Sequence, residues 1–183
     1  MAVTKKRKRL SVTVDPSLCM GCCSCEIACA VAHSASKELY EVIRSGETPG
    51  HRINVESCRG QAVPIHCNHC EEAACIEACP TGAIFRKAKG FPVLVDKDRC
   101  IGCSMCVQAC PFGVITLDPS GKGVLKCDLC VERLAQGKEP ACVAACPTHA
   151  LALEDAEDAN EAKRQRAAAR IVAAQETGDK ESS

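Results

Sequence analysis

The chain has 183 residues, no net formal charge, no Trp, one Tyr and three Phe. That length suits one domain or two small fused domains, and the balanced charge gives no general argument for nucleic-acid binding. Aromatic side chains usually supply much of the buried area of a core. The stability of this chain must therefore come in part from elsewhere, and its eighteen cysteines are the obvious source.

The chain begins with a basic stretch, and we predict residues 1–9 to be a solvated tail. No apolar segment of the kind found in secretory signals follows it, and no part of the sequence approaches the ~20 apolar residues of a membrane span. Because no aromatic stacking residues accompany the basic ones, nucleic acid is not an expected partner. We therefore expect a cytoplasmic chain without a membrane span of its own.

Sixteen cysteines form four groups along the chain, here called runs 1 to 4. In order they are Cys19-x2-Cys22-x2-Cys25-x3-Cys29, Cys67-x2-Cys70-x4-Cys75-x3-Cys79, Cys100-x2-Cys103-x2-Cys106-x3-Cys110 and Cys127-x2-Cys130-x11-Cys142-x3-Cys146. Run 3 has the unaltered spacing of a bacterial [4Fe–4S] site, and the other runs are variants of it. Zinc sites use CxxC pairs but explain neither the third cysteine nor a fourth one before Pro, and disulfide frameworks belong to secreted chains. The spacing therefore favours iron–sulfur clusters.

Each run lies in a repeated unit that we predict to contain a strand, a ligand loop, a short helix and a second strand. Gly21 and Gly102 allow the loops of runs 1 and 3 to adopt positive φ close to a cluster. Pro follows the last cysteine of runs 2, 3 and 4, where it ends the helix. Run 1 has Ala30 at that position, so we expect its helix to continue through residues 30–34.

Two antiparallel hairpins are predicted between these units. Residues 83–87 pair with residues 93–96, and residues 114–118 pair with residues 123–126, because turn residues separate these β-branched segments. The predicted fold class is therefore α+β. It consists of tandem units like those of bacterial ferredoxins, with short antiparallel hairpins and short helices built around the clusters.

Two segments lie outside the repeat. An insertion at residues 40–66 is predicted to hold a loop and one or two strands, at residues 52–56 and 61–65. The C-terminal segment, residues 154–183, is rich in Ala, Glu, Lys and Arg and is predicted to be helical over residues 155–175 and disordered beyond them. That helix is either an ordinary surface helix or a docking helix for a partner.

The arrangement of the runs resembles a known family. The order of the four runs, the long Cys70–Cys75 loop and the gap between Cys130 and Cys142 resemble the four-cluster ferredoxin-like iron–sulfur subunits of the dimethyl-sulfoxide-reductase and formate-dehydrogenase beta type. The resemblance covers residues 10–153, which we expect to form one domain of two interlocked halves. Within residues 24–40 the sequence is similar to a narrower group, the electron-transfer proteins of nickel CO dehydrogenase.

The resemblance implies that runs 1 and 4 exchange their last cysteines, as do runs 2 and 3, so that four [4Fe–4S] clusters are held. The implied ligands are Cys19, Cys22, Cys25 and Cys146 (set 1), Cys67, Cys70, Cys75 and Cys110 (set 2), Cys100, Cys103, Cys106 and Cys79 (set 3), and Cys127, Cys130, Cys142 and Cys29 (set 4). Cys22 and Cys23 are adjacent, and either is a candidate second ligand of set 1, although the spacing favours Cys22.

Two cysteines and several histidines fall outside this scheme. Cys23 and Cys58 are expected to be small buried side chains or inert thiols, with a cluster shared across an interface as an alternative for Cys58. His66 and His69 flank Cys67. Because four thiolates are available for each cluster, we expect these two side chains to hydrogen-bond near a ligand or to face solvent. The other histidines have no readable role.

The sequence contains no catalytic motif that would make the chain an enzyme on its own. The resemblance implies an electron-transfer subunit that relays single electrons between a catalytic redox subunit, CO dehydrogenase in the narrower group, and a hydrogenase or flavin oxidoreductase. One alternative is the iron–sulfur subunit of a molybdenum or tungsten oxidoreductase, such as formate dehydrogenase or aldehyde oxidoreductase. Others are an accessory protein of a hydrogenase or dehydrogenase and a zinc scaffold. Attachment to a membrane complex through a partner stays open.

Overall fold

A computed structural model describes residues 9–119 and 121–178. Short helices and short antiparallel hairpins alternate along these residues, which confirms the predicted α+β class. Most of the predicted basic tail and the last five residues of the predicted disordered tail lie outside the described residues.

The helices and strands are numbered in chain order. They are β1 (Leu10–Val14), a 3-10 turn (Pro16–Leu18), α1 (Ser24–Ala32), α2 (Leu39–Ser45), β2 (Ile53–Cys58), β3 (Gln61–His66), α3 (Ala74–Glu77), β4 (Ile84–Arg86), β5 (Val93–Val95), α4 (Met105–Ala109), β6 (Thr116–Leu117), β7 (Val124–Leu125), α5 (Val131–Ala135), α6 (Ala141–Ala144), β8 (Leu151–Asp155) and α7 (Ala156–Gly178).

The first and last strands of the domain pair with each other. β1 and β8 are antiparallel, with Leu10 opposite Asp155 and Val14 opposite Leu151. Below this ladder one hydrophobic core joins runs 1 and 4 to the insertion. Its buried members are Val12, Cys25, Cys29, Ile53, Leu129, Cys142, Val143 and Leu151. Three of the eight are predicted cluster ligands, so cysteines occupy places that aromatic side chains fill in other small cores.

A second hydrophobic core lies between runs 2 and 3. Its buried members are Ala73, Ile84, Val93, Cys106, Ile115 and Val124. Both predicted hairpins contribute to it: β4 pairs with β5, and β6 pairs with β7. The second hairpin is shorter than predicted, since only two residue pairs lie in its ladder.

The insertion contains the predicted strands and one helix that the sequence analysis missed. β2 and β3 form a hairpin from Ile53 opposite His66 to Cys58 opposite Gln61. α2 occupies a segment predicted to be loop. The Glu38 side chain caps it by accepting a hydrogen bond from the backbone N–H of Glu41, and Gly46 ends it with φ +69°. Both are ordinary helix-boundary signals.

Two helices follow the predictions closely. α1 continues past Cys29 to Ala32, because Ala30 stands where the other runs have Pro. α7 confirms the predicted C-terminal helix and extends it, since residues 176–178 are helical rather than disordered. Among the described residues, no helix combines the length and the apolar character that crossing a membrane requires.

Gly102 and Gly113 offer a matched test of the backbone in and after run 3. Both have positive φ, +68° and +63°, but a Cβ at Gly102 would lie 3.0 Å from the carbonyl oxygen of Gly121, whereas one at Gly113 would meet nothing within 4 Å. Gly113→Ala should lower the free energy of unfolding by about 1 kcal/mol, the cost of placing an L side chain in left-handed backbone. Gly102→Ala should cost roughly twice as much, because a backbone atom must also move.

The measurement is thermal unfolding of anaerobically purified protein followed by circular dichroism. Each kcal/mol should shift the midpoint by about 2–4 °C for a chain of this size. Equal shifts for the two variants would show that the contact between Gly102 and Gly121 carries no weight.

Candidate metal centres

The ligand loops of all four runs share one backbone geometry. The residue before the second cysteine has positive φ in every run, and these residues are Gly21, His69, Gly102 and Leu129. Only two of the four are Gly, so the loop shape is imposed even where it costs an L residue about 1 kcal/mol. A helix begins directly after the loop in runs 1 and 3. The loop therefore curls back on itself, which brings its thiols toward one point.

The four thiols of set 3 line a single cavity. Cys79 of run 2 borders it together with Cys100, Cys103 and Cys106 of run 3. Burial raises the pKa of Cys106, and the neighbouring thiols of Cys100 and Cys79 raise it further. The last cysteine of run 2 thus lies among the first three cysteines of run 3.

Set 2 shows the reciprocal contact. Burial raises the pKa of Cys75, and the thiols of Cys67 and Cys110 act in the same direction. Cys110 belongs to run 3 and the other two cysteines to run 2. Lys126 opposes them and lowers the pKa of Cys75.

Set 4 is the most deeply buried group. Burial raises the pKa of Cys142 to about 12, with further contributions from the thiols of Cys29 and Cys130. Burial also raises the pKa of Cys127, and the thiols of Cys67 and Cys29 add to that effect. Cys29 comes from run 1 and the other three ligands from run 4, so these two runs meet here.

Set 1 lies nearer the surface, since Cys22 is exposed and Cys25 alone is buried. Hydrogen bonds from Ser24 lower the pKa of Cys22, while the thiol of Cys146 acts in the opposite direction. Burial raises the pKa of Cys25 to about 11. Cys146 of run 4 packs against the core that contains Cys25. In every set, then, a thiol of one run lies within electrostatic range of a thiol of its partner run.

These groups fit an iron–sulfur cluster better than a disulfide. Every cysteine is free, and thiols this close together repel one another once ionised, a cost that a metal removes by ligating the thiolates. Backbone N–H groups also donate to ligand sulfurs. Arg52 donates to Cys29 at 3.3 Å, His69 to Cys67 at 3.4 Å and Leu129 to Cys127 at 3.4 Å. Hydrogen bonds to the sulfurs help to set the reduction potential of a cluster.

Cys22 and Cys23 occupy different positions relative to the ligand loop and helix α1. Cys23 has positive φ, precedes α1, and its thiol contacts the carbonyl oxygen of Gly21 at 3.5 Å. Ser104 occupies the same place in run 3: it has positive φ, precedes α4, and its hydroxyl donates to the carbonyl oxygen of Gly102 at 3.3 Å. Cys23 is therefore the counterpart of a serine that is not a ligand. Cys58 is exposed at the end of β2.

A charged network beside set 4 was missed by the sequence analysis. The ring of His33 donates from Nδ1 to the carbonyl oxygen of Cys29 at 2.7 Å and from Nε2 to Asp128 at 3.1 Å. Arg52 donates to the other carboxylate oxygen of Asp128 at 2.9 Å. Asp128 in turn accepts from the backbone N–H of Cys130. These residues lie far apart in the chain, so no local sequence pattern predicts the network.

The network fixes the charges of its members. Burial would lower the pKa of His33, but hydrogen bonds with Asp128 and Cys29 outweigh it and raise the pKa to about 9. Burial opposes ionisation of Asp128 as well, yet the hydrogen bond from His33 and the charge of Arg52 hold its pKa well below the usual range. His33 is therefore a cation at neutral pH and Asp128 an anion.

The two histidines near Cys67 are buried, which agrees with the expected hydrogen bonds near a ligand and excludes the alternative of exposure to solvent. His66 lies 3.0 Å from the carbonyl oxygen of Cys67, and burial lowers its pKa. His69 accepts a hydrogen bond at Nδ1 from the backbone N–H of Val93, and burial together with Lys126 lowers its pKa to about 3. Both rings are therefore neutral.

Comparisons with known proteins agree with this chemistry. A family model described as the 4Fe-4S dicluster domain matches residues 55–156, more than half of the chain. An iron-sulfur protein of Rhodospirillum rubrum is 41% identical over 161 residues, covering 81% of this chain and 84% of its own. The thiosulfate reductase electron transfer subunit of Salmonella typhi is 40% identical over 138 residues, covering 75% and 71%. The B subunit of the anaerobic dimethyl sulfoxide reductase of Escherichia coli is 38% identical over 143 residues, covering 75% and 69%.

The charge on His33 leads to a prediction about pH. Folding raises the pKa of His33 from the ordinary 6.5 to about 9. The charged His33 therefore stabilises the fold fully below pH 6.5, and this stabilisation is lost as the pH rises through about 9. Between these two pH values the free energy of unfolding of the wild type should fall by on the order of 1–2 kcal/mol more than that of His33→Gln. Thermal unfolding measured across this pH range tests the difference.

His51→Gln is the matched control, because His51 is an exposed histidine. It should follow the wild-type pH profile. A His33→Gln profile that runs parallel to both would show that the ion pair with Asp128 contributes nothing to stability.

Proposed function

The chain belongs to the 4Fe-4S dicluster domain family, which agrees with the iron–sulfur clusters that the cysteine spacing favours. We propose that it is an electron-transfer subunit with four [4Fe–4S] clusters. The observation that carries this proposal is the gathering of thiols from two different runs in each of the four predicted ligand sets. When bound, each cluster accepts and releases one electron at a time. The chain's own part is to hold the clusters in order, to shield the inner ones from water and to present the outer ones to partners.

We assign the ligands of these clusters to sets 1 to 4, with Cys22 rather than Cys23 in set 1. The equivalence of Cys23 and Ser104 supports that choice. The cavity shared by the thiols of set 3 supports the exchange of last cysteines between runs 2 and 3. For runs 1 and 4, the thiol of Cys146 raises the pKa of Cys22, and the thiol of Cys29 raises the pKa of Cys142. Both effects support the same exchange.

Electrostatic effects between thiols of different sets support an order for the relay. Cys25 of set 1 raises the pKa of Cys142 of set 4, so we place these two sets next to each other. Cys67 of set 2 raises the pKa of Cys127 of set 4, so we place sets 4 and 2 next to each other. Sets 2 and 3 share run 2, where two ligands are separated by a single helical turn. The proposed path therefore runs from set 1 through sets 4 and 2 to set 3.

The two ends of this path are the places where the clusters would meet partners. Cys22 of set 1 and Cys103 of set 3 are exposed, whereas set 4 contains three buried ligands. Each exposed end has a large apolar side chain next to its first ligand, Met20 at one end and Ile101 at the other, 68% and 66% exposed. Apolar side chains at the rim of an exposed redox centre suit docking of another protein.

For partners, we propose a catalytic redox subunit at one end and a second redox protein at the other. Two relatives bear the names of reductase subunits, which fits the subunit of a molybdenum or tungsten oxidoreductase. The resemblance of residues 24–40 favours CO dehydrogenase instead, with a hydrogenase or flavin oxidoreductase as second partner. Affinity purification without oxygen, with nickel, molybdenum and tungsten measured on the bound material, separates these choices by the metal that accompanies the chain.

The same preparation tests the relay itself against an accessory role. Iron-loaded protein added to the purified partner enzyme should couple that enzyme to an electron acceptor. If assembly of the enzyme needs the chain but coupling does not, the chain is an accessory protein and the relay proposal is wrong.

The exchange of ligands predicts a long-range effect of one substitution. Cys146→Ser should disturb the cluster held by run 1, since Cys146 is assigned to set 1. The variant should lose about a quarter of the iron of the wild type, or convert one cluster to a form with about three irons. Iron analysis and electron paramagnetic resonance of the reduced protein measure both outcomes.

Cys23→Ser is the matched control, because Cys23 is the extra cysteine beside the same cluster. It should keep the full iron content and the wild-type spectrum. A loss of iron in Cys23→Ser, or a Cys146→Ser spectrum changed only in the cluster of Cys127, Cys130 and Cys142, would refute the assignment.

A further inference from the structure

A buried lysine lies between the two inner ligand sets. Lys126 directly precedes Cys127 of set 4 and is only 3% exposed. Its ammonium donates to the carbonyl oxygen of Cys127 at 2.7 Å and to that of Val93 at 2.6 Å. A lysine is rarely buried so completely, because removing an ammonium from water costs several kcal/mol unless an opposite charge repays it.

The hydrogen bonds of Lys126 continue into the ligand loop of set 2. The same Val93 whose carbonyl oxygen accepts from Lys126 donates its N–H to Nδ1 of His69 at 3.1 Å. His69 stands between Cys67 and Cys70, and its own N–H donates to the sulfur of Cys67 at 3.4 Å. The ammonium is thus joined through the buried residue Val93 to a ligand loop of set 2, and directly to the backbone carbonyl oxygen of Cys127 in set 4.

No carboxylate described in the structure lies within ion-pair distance of Lys126. The nearby anion, Asp128, is engaged by His33 and Arg52, and the half-buried cation Arg86 donates to the backbone carbonyls of His69 and Glu71. The remaining opposite charge is that of the ligand thiolates, because the hydrogen bonds of the ammonium lead to Cys127 and, through Val93 and His69, to Cys67. Four thiolates outweigh the positive charge of an iron–sulfur core, and each electron taken up adds one more negative charge.

We propose that Lys126 raises the reduction potentials of the two clusters held by sets 2 and 4, so that the inner pair is reduced before the outer pair. This inference rests on the ligand sets of the proposed function. The physical reason is that a fixed positive charge in a site of low polarisability favours the more negative, reduced state of each neighbouring cluster. With a cluster bound, one electron from a reduced donor protein would make the charge of that cluster more negative by one without moving a proton, and the ammonium of Lys126 would stabilise the added charge.

The proposal explains why the inner clusters would not block the relay. Burial away from water disfavours the more highly charged reduced state, which lowers the potential of a cluster. Sets 2 and 4 contain most of the buried ligand cysteines, while sets 1 and 3 have exposed ones. A single ammonium shared by the two inner sites offsets that penalty on both at once.

The test compares redox titrations of iron-loaded holoprotein followed by electron paramagnetic resonance. Lys126→Gln removes the charge but retains a donor for the carbonyl oxygen of Val93, whereas Lys126→Arg retains the charge. In Lys126→Gln the ratio of reduced to oxidised inner clusters, at a fixed ambient potential, should fall about tenfold or more, which is ~59 mV for one electron. Lys126→Arg should stay near the wild type.

Lys138→Met is the matched control, since Lys138 is an exposed lysine that borders the same surface groove as Lys126. It should leave all four potentials nearly unchanged. Equal shifts in the two neutral variants, or no shift of the inner pair in Lys126→Gln, would overturn the proposal while leaving the four-cluster assignment intact.

If Lys126→Gln fails to load iron, the order in which the clusters are reduced in protein with Lys126 intact tests the proposal. Cys22→Ser and Cys103→Ser mark the signals of the outer sets 1 and 3, because each changes one exposed ligand. The proposal predicts that the marked signals are the last to develop as the potential is lowered. It is overturned if they develop first. Failure of the proposed function would look different, as fewer than four clusters in the unaltered holoprotein.

Discussion

The burial of cysteines from two paired runs at each shared site is the constraint on which this structure depends. The deepest cysteines have raised pKa values because burial and neighbouring sulfurs both oppose ionisation. Metal–sulfur bonds of a bound cluster would offset that penalty, so cluster binding would be coupled to folding. The cores are consistent with this view, since cysteines and small aliphatic residues fill them in a chain with few aromatic side chains.

The short helices set the distances between ligands of neighbouring sites. Ligands four residues apart, such as Cys25 and Cys29 on α1, lie on one helical face about 5–6 Å apart. In the proposed assignment they belong to different clusters, so α1 fixes the spacing of two neighbouring sites. The pairing of β1 with β8 holds the first and last runs together. Positive charge gathers at the inner sites through His33, Arg52 and Lys126, while the outer sites face solvent.

The sequence revealed most of the fold because cysteine, Gly and Pro mark the repeated units locally. The hairpins and the course of α1 beyond Cys29 follow from such signals. The C-terminal helix follows from the Ala, Glu, Lys and Arg content of its segment. α2 was missed although Glu38 and Gly46 mark its ends, because its segment was taken for part of a loop-rich insertion. The network of His33 and Asp128 and the burial of Lys126 depend on contacts between distant segments. No local pattern encodes such contacts.

The most direct test of the account is the iron and acid-labile sulfide content of anaerobically prepared, reconstituted protein. Four cross-ligated [4Fe–4S] clusters predict about sixteen iron atoms and as many sulfides per chain, without zinc. About half that amount, or zinc in place of iron, would contradict the assignment of thiols from paired runs to four shared sites.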